Sequence, residues 1–290
     1  MADHHMVGDS FRLGYRFQRY WGAAMACAFF CGELGGGLFF VSMIFKNPLG
    51  LVLGLLIAVL GKSAFHLTHM GVPGKAWRAI LRPDRSWISR GLIAIVVFTG
   101  AGAGHAINLI WNDVIPFGVA IEVLAGAGAI VVMTYNGFSM SHSTAIALWS
   151  TAMMPVLSLI YALTSGMAAI LSLPSASYLT GEEPPLLPLM QGLLVADLLI
   201  VLGFVYAAYN GSAGAKLSAQ LIIRTRYAYW FWAVVVATGL VLPLALLSLG
   251  DGLEVVRFGV VVAVLSGFYV FRILIFKAGV YEPVLPLARQ

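Results

Sequence analysis

Residues 65–91 read FHLTHMGVPGKAWRAILRPDRSWISRG, a connection that carries two histidines, two tryptophans and five lysines and arginines. Apolar chain closes in on both sides, with PLGLVLGLLIAVLG (48–61) leading in and LIAIVVFTGAGAG (92–104) leading out. A basic link with tryptophan between two such runs reads as a surface loop between membrane-spanning helices, because indoles favour the headgroup boundary and Lys/Arg collect on one side. A helix needs about 20 apolar residues to cross roughly 30 Å of hydrocarbon. Working outward on that measure, eight spans are expected, at roughly 20–45, 49–69, 88–110, 114–136, 142–171, 187–209, 226–249 and 254–276. Turn signals separate them: Asn47-Pro48, the basic loop at 70–87, Asn112-Asp113, Asn136-Gly137, the stretch 181–185, Asn210-Gly211 and Gly250-Asp251-Gly252. The expected fold is an all-α integral membrane protein, one transmembrane domain over 1–290 whose eight helices form two four-helix bundles.

Composition agrees. Of 290 residues 60% are hydrophobic and 10% charged, and mean hydropathy is +0.92, against about 45–50% and 25% in soluble domains. Cys27 and Cys31 lie one helical turn apart in an apolar run, too few for a four-cysteine cluster and uninformative about redox compartment. The first eighteen residues are polar and mixed and lack the layout of a signal peptide. They are expected to form an arm on the cytosolic side. A pI near 9.3 invites a nucleic-acid reading, but a basic excess in the loops of an apolar chain reports membrane orientation instead. No nucleic-acid partner is expected. Arg12, Arg16, Arg19, Lys75, Arg78, Arg82, Arg85, Arg90, Lys216, Arg224, Arg226, Lys277 and Arg289 fall at one set of alternate span ends. The other set has Lys46 and Arg257 with Asp113, Glu182, Glu183, Asp251 and Glu254. By the positive-inside rule both termini are cytoplasmic, in a multi-pass protein of a bacterial or archaeal inner membrane. The same basic face would also suit an acidic partner protein.

Within the loop, Arg78, Arg82 and Arg85 recur at spacings of four and three, opposite Trp77, Ile80 and Leu81, between Pro73 and Pro83. That pattern predicts an amphipathic segment lying on the membrane, its basic side toward lipid phosphate or protein. His66 and His69 share a helix face at the end of the second span, with Lys62 one turn deeper. Two histidines suggest haem, but His105 and His142 lie near opposite ends of their spans, so no facing pair at one depth is available and no haem is expected. An interfacial histidine can cap a helix, or it can hydrogen-bond a quinone carbonyl and exchange its proton. CGELGGGLFF (31–40), GAGAGH (100–105) and AGAGA (125–129) put small residues at four-residue spacing, faces on which helix backbones approach closely.

Four stretches together resemble the NrfD/PsrC (polysulfide reductase membrane-subunit) family, which includes anchors similar to DmsC of dimethyl sulfoxide reductase. They are HMGVPGKAWRAILRPDRSWISRG (69–91), the glycine-rich FFCGELGGGLFFVS (29–42), YNGFSMS (135–141) and LWSTAMMPVLSLIYALTSG (148–166). The likeness is specific over roughly 15–170, and the last three spans match it only as hydropathy. It departs from the family pattern in ALW before Trp149, where a proline is common, and in Glu33. The resemblance implies a quinone-binding anchor for menaquinone or ubiquinone, with no haem or iron–sulfur cluster of its own. It also implies two partners, a four-cluster ferredoxin-like iron–sulfur subunit and a molybdopterin catalytic subunit. Carried over, His69 matches the family's histidine before Gly-x-Pro and Tyr135 the tyrosine closing the fourth span. His66, Asn136 and Gly137 adjoin them and complete the expected quinone site. Lys75, Arg78, Arg82, Arg85 and Arg90 are the expected docking residues for the iron–sulfur partner.

Glu33 and Asp197 fall near the middle of the first and sixth spans and Glu122 in the outer half of the fourth. A carboxylate at the bilayer centre costs about 2.5–3.5 kcal/mol on insertion scales, so each is expected to face the bundle interior. With Lys62 and His105 they are the candidates for proton transfer, forming a partial wire from the quinone site toward the far side. Two rival readings stand. A secondary transporter would use Glu33, Asp197 and Lys62 as a substrate or ion site, against which the absence of an inverted repeat weighs. A purely structural anchor would keep the fold without quinone chemistry.

Overall fold

The computed structural model describes residues 15–174, 186–248 and 254–282. Arg12, Arg289, Glu182, Glu183 and Asp251, and the breaks expected at 181–185 and 250–252, lie outside the described residues. Among the described residues eight helices are long and apolar enough to cross a membrane: Ala23–Ile44, Pro48–His69, Trp87–Trp111, Gly118–Ser141, Met153–Leu171, Leu186–Tyr209, Trp230–Ser248 and Val255–Lys277. They are called spans one to eight. Local chemistry fixes their ends. Asn47 Oδ1 accepts from the Gly50 N–H at 2.9 Å, with Pro48 at the first helical position of span two, where a missing N–H costs nothing. Ser86 Oγ accepts from the Ser89 N–H to start span three, and Asn112, left-handed at φ 57°, ends it.

Spans one and five form the centre, 67% of each apolar window being buried against 22–50% for the other six. Glycine sets their approach: a Cβ on Gly37 would strike the Ala162 backbone, and one on Gly166 the Gly37 backbone. Span two closes on span one in the same way, through Gly35 and Gly54. Without a hydrophobic force between helices in lipid, such backbone contact is the main source of packing energy. A division into two four-helix bundles does not stand out, because this tight pairing of spans one and five crosses the expected boundary between them.

Two expected boundaries move. Asn136-Gly137, expected as a break, lies inside span four, where Gly137 lets the Pro155 backbone in and Asn136 is fully buried. Residues 142–152, expected as the start of span five, are irregular, and the helix begins at Met153. Their apolar side chains still enter the core: Ile146, Leu148 and Trp149 are buried, and Trp149 Nε1 donates to the Ile275 carbonyl at 3.0 Å. A two-stranded sheet pairs β1 (Arg16–Phe17) with β2 (Val280–Tyr281), so the chain entering span one and the chain leaving span eight lie together. The 3-10 helix Pro73–Leu81 and the short apolar helix Ala213–Ile223 lie on this same side. With them come Arg16, Arg19, Lys75, Arg78, Arg82, Arg85, Arg90, Lys216, Arg224, Arg226 and Lys277. This is the basic face.

Candidate functional site

A cavity of about 430 Å³ opens beneath the basic loop. Its walls come from the start of span one (Trp21, Met25, Phe29), the end of span two, the start of span three (Ile88, Gly91, Leu92, Ile95) and the end of span four. Met70, Ala76 and Ala79 of the loop roof it. Ser89 Oγ donates to the Ala79 carbonyl and ties that roof to span three. Arg90 fixes the rest of the loop, its guanidinium donating to the carbonyls of Pro83 at 2.8 Å and Asp84 at 3.2 Å while lying 4.6 Å over Trp87. Trp87 in turn stacks on Phe138 and donates to His142 Nε2 at 3.0 Å. The walls are mostly hydrocarbon and aromatic, and the polar groups that reach them are few: Lys62, Ser63, His66, Tyr135 and Ser139.

Those polar groups are there for local reasons. Span two widens into π-helical turns over Ile57–Gly61, ending where Lys62 begins. One extra residue in a helix rotates the residues beyond it by about 100°, and the Lys62 stem runs inward across the face of span one. Gly32 makes room, since a Cβ there would meet the lysine's Nζ at 2.9 Å. Gly91 does the same for the Tyr135 ring. The Lys62 ammonium sits 4.4 Å from the Tyr135 ring centre and 5.4 Å from that of Phe29, a favourable cation–π arrangement when water is excluded.

Behind the cavity wall a polar network continues inward. Lys62 Nζ donates to Asn136 Oδ1 at 3.0 Å, and Asn136 Nδ2 donates to Glu33 Oε1 at 3.3 Å. Arg272 of span eight closes on Glu33 through Nε and Nη2 at 2.9 and 2.8 Å, and Nη2 also donates to Ser158 Oγ at 2.9 Å. Every member is at most 2% exposed. A two-pronged pair of this kind is the strong form of a charged hydrogen bond. Its fit matters, because buried ions lose several kcal/mol of hydration each. Lys62 has three N–H donors and Asn136 as its one hydrogen-bond acceptor among the described residues. The others are available to an acceptor in the cavity.

The expected site residues divide. Tyr135, His66 and Lys62 line the cavity; Asn136 and Glu33 stand behind it; Gly137 packs on span five. His69, half-buried at the end of span two, is not among the lining residues. His105 and Glu122 lie near the opposite face in a second cavity of about 570 Å³, with Lys46, Asn108 and Asp113. Glu122 is exposed rather than turned into the bundle, because one turn into span four it can still reach the surface. Fourteen residues of span four, about 21 Å at helical rise, separate it from Asn136, and the buried residues between are Ala125, Gly128, Ala129, Val132, Met133 and Tyr135. The hydrogen bonds of the inner network run from Lys62 to Ser158 and do not include His105 or Glu122. Asp197 is fully buried in span six, away from both cavities. Lys75, Arg78, Arg82 and Arg85 project from the basic face, all exposed. Arg272, Ser139 and Ser158 are not among the residues that the sequence singles out. A lone Arg within an apolar span is the signal for Arg272, since such residues are expensive and seek a partner.

Among the described residues no group of three or more His, Cys, Asp or Glu is placed to hold a metal ion. The family model described as Polysulphide reductase, NrfD matches residues 15–283. No curated protein matches the chain.

Proposed function

The chain belongs to the polysulphide reductase NrfD family, whose members are membrane subunits of molybdoenzyme complexes, and we propose that its Lys62–Tyr135 cavity binds the head group of a quinone or quinol. The observation that carries this reading is the cavity's make-up: apolar and aromatic walls large enough for a ring system, with a few polar groups among them. A quinone supplies a couple of two electrons and two protons. The chain's residues supply the setting. Lys62, His66, Tyr135 and Ser139 are the groups within the walls that can hydrogen-bond its oxygens. Phe29, Leu92 and Ile95 exclude water, which strengthens those bonds. His66 hydrogen-bonds the bound oxygen through its imidazole at the cavity, and His69, three residues nearer the surface, is the histidine closer to water for proton exchange.

Electrons pass to or from an iron–sulfur subunit seated on the basic face. Lys75, Arg78, Arg82 and Arg85 meet its acidic surface, while Arg90 holds the loop in shape. The positive-inside rule supports a cytoplasmic orientation for that face. The cavity lies directly beneath this loop, roofed by Met70, Ala76 and Ala79, and this closeness to the basic face supports the reading.

The test is a fluorescence titration of the native complex with a quinol analogue. Lys62→Met and Tyr135→Phe are expected to weaken binding at least tenfold with the complex still assembled, and His66→Ala more than His69→Ala. Unchanged affinity in both Lys62→Met and Tyr135→Phe would remove the cavity from the account.

A further inference from the structure

The buried polar network does not end at Arg272. Span five places Tyr161 and Thr164 three residues apart, one turn beyond Ser158, against Asp197 of span six. Tyr161 lies near both Asp197 and Arg272, and Thr164 stands beside the carboxyl. Tyr161 stacks on Phe268 at 4.7 Å, and Arg272 lies 5.6 Å over the same ring. Exposure is 2% for Tyr161 and 0% for Thr164, Asp197 and Arg272. Thr164 is within hydrogen-bonding reach of Asp197, but the Tyr161 hydroxyl, Arg272 Nη1 and the remaining acceptor positions of Asp197 have no hydrogen-bond partner among the described residues. Each unmatched buried polar group costs about 1–3 kcal/mol. Several in one neighbourhood, on three spans, call for an occupant that donates and accepts.

Water fits that demand, because an ordered internal water makes about three hydrogen bonds to groups otherwise left unmatched. The charges narrow the occupant further. Arg272 already holds Glu33 with two nitrogens. Span seven, packed on span six, carries no Asp, Glu, Lys, Arg, His or Tyr over Trp230–Ser248. Lys216 and Arg224 are at the basic face, and Leu240 and Val264, which cluster with Leu194 of span six, are apolar. Among the described residues no cation is hydrogen-bonded to Asp197, and Arg272 is already paired with Glu33; a buried charge without a direct partner is far costlier than a neutral carboxyl. It lies eleven residues from Leu186 and twelve from Tyr209, at the middle of its span.

We propose that Tyr161, Thr164, Asp197 and the free nitrogen of Arg272 enclose an internal water cluster with an exchangeable proton on Asp197. This mid-membrane proton site lies inward of the Lys62–Asn136–Glu33 network, and the Ser158 hydroxyl, which accepts from Arg272 and stands beside Glu33, passes protons between Glu33 and the water cluster. It deepens the quinone reading by giving protons released or taken up at the cavity a store halfway across the membrane. Arg272 keeps its proton throughout. Its part is positioning, holding Glu33 on one edge and the water cluster on the other.

The experiment is infrared spectroscopy of the native complex in membranes, before and after transfer to D2O, with no quinone added. A carboxylic C=O band that moves in D2O and vanishes in Asp197→Asn is expected. The same band should change frequency in Tyr161→Phe, which removes only the hydroxyl. Its exchange should slow at least tenfold in Asn136→Leu, which interrupts the path from the cavity. A carboxyl region identical in wild type and Asp197→Asn would overturn the site. Exchange in Asn136→Leu as fast as in wild type would overturn the route. Because the readout needs no quinone, failure of the quinol titration and failure of this proposal are separate results.

Discussion

Glu33 and Arg272 come from residues 239 apart in sequence, and each is tolerable at its depth only because of the other. Removing one partner of a buried pair typically costs about 3–5 kcal/mol, whereas replacing both by apolar residues is close to neutral. Glu33→Gln is therefore expected to lower the melting temperature of the solubilised complex clearly, and Glu33→Met with Arg272→Met to restore most of it. A double variant as unstable as the single one would contradict the pairing. Lys62 acts on the other side of the same network. A charge-assisted hydrogen bond is worth about 1.5–3 kcal/mol, so Lys62→Met is expected to lower quinol-dependent turnover about 10- to 100-fold. Glu33 and Lys62 are visible in the sequence as charges where charges are costly. Arg272 is easily missed because FYVFRILIF averages as apolar with one arginine in it, and its partner is nowhere near in the chain. The sequence puts the two histidines on one helix face, but cannot show that the deeper one, His66, reaches the cavity.

At the scale of elements, close backbone contact between spans one and five sets the centre of the molecule. Gly37→Val would drive a side chain into the Ala162 carbonyl, and loss of assembled complex in membranes is the expected outcome. Gly100→Ala, where nothing lies within 4 Å of the added carbon, is expected to assemble as wild type does. Arg90→Ala removes two bonds from the loop that roofs the cavity. Amide exchange over residues 73–81 should quicken, and quinol-analogue affinity should fall with little change in overall stability. Spans were legible because hydrocarbon thickness demands long apolar runs, and the stripe CGELGGGLFF pointed correctly to close helix contacts, whereas Gly100 of GAGAGH meets no neighbour. Residues 142–152 mislead because an irregular segment can be as apolar as a helix when Trp149 anchors it into the core. Asn136-Gly137 reads as a turn in any soluble protein. Here the asparagine's side chain is satisfied by Lys62 and Glu33 inside a helix, and only the folded arrangement supplies those partners.

For the whole molecule, the arrangement is one-sided. The paired strands, the roofed cavity and most of the basic residues share one face, and the exposed polar cavity around His105 and Glu122 lies at the other. Electrostatic attachment across the basic face should weaken with salt. A Lys75→Gln, Arg78→Gln, Arg82→Gln variant is expected to lose its partner subunits at lower ionic strength than wild type, as followed by size-exclusion chromatography. Equal salt tolerance would place the partner elsewhere. The central claim is that the Lys62–Tyr135 cavity holds the quinone head group, and labelling of the native complex with a photoreactive azidoquinone tests it most directly. Label on peptides containing Phe29, His66, Ala79 or Tyr135, displaced by excess quinone and lost in Lys62→Met, is the predicted result. Displaceable label confined to the opposite face, around His105 and Glu122, would contradict it.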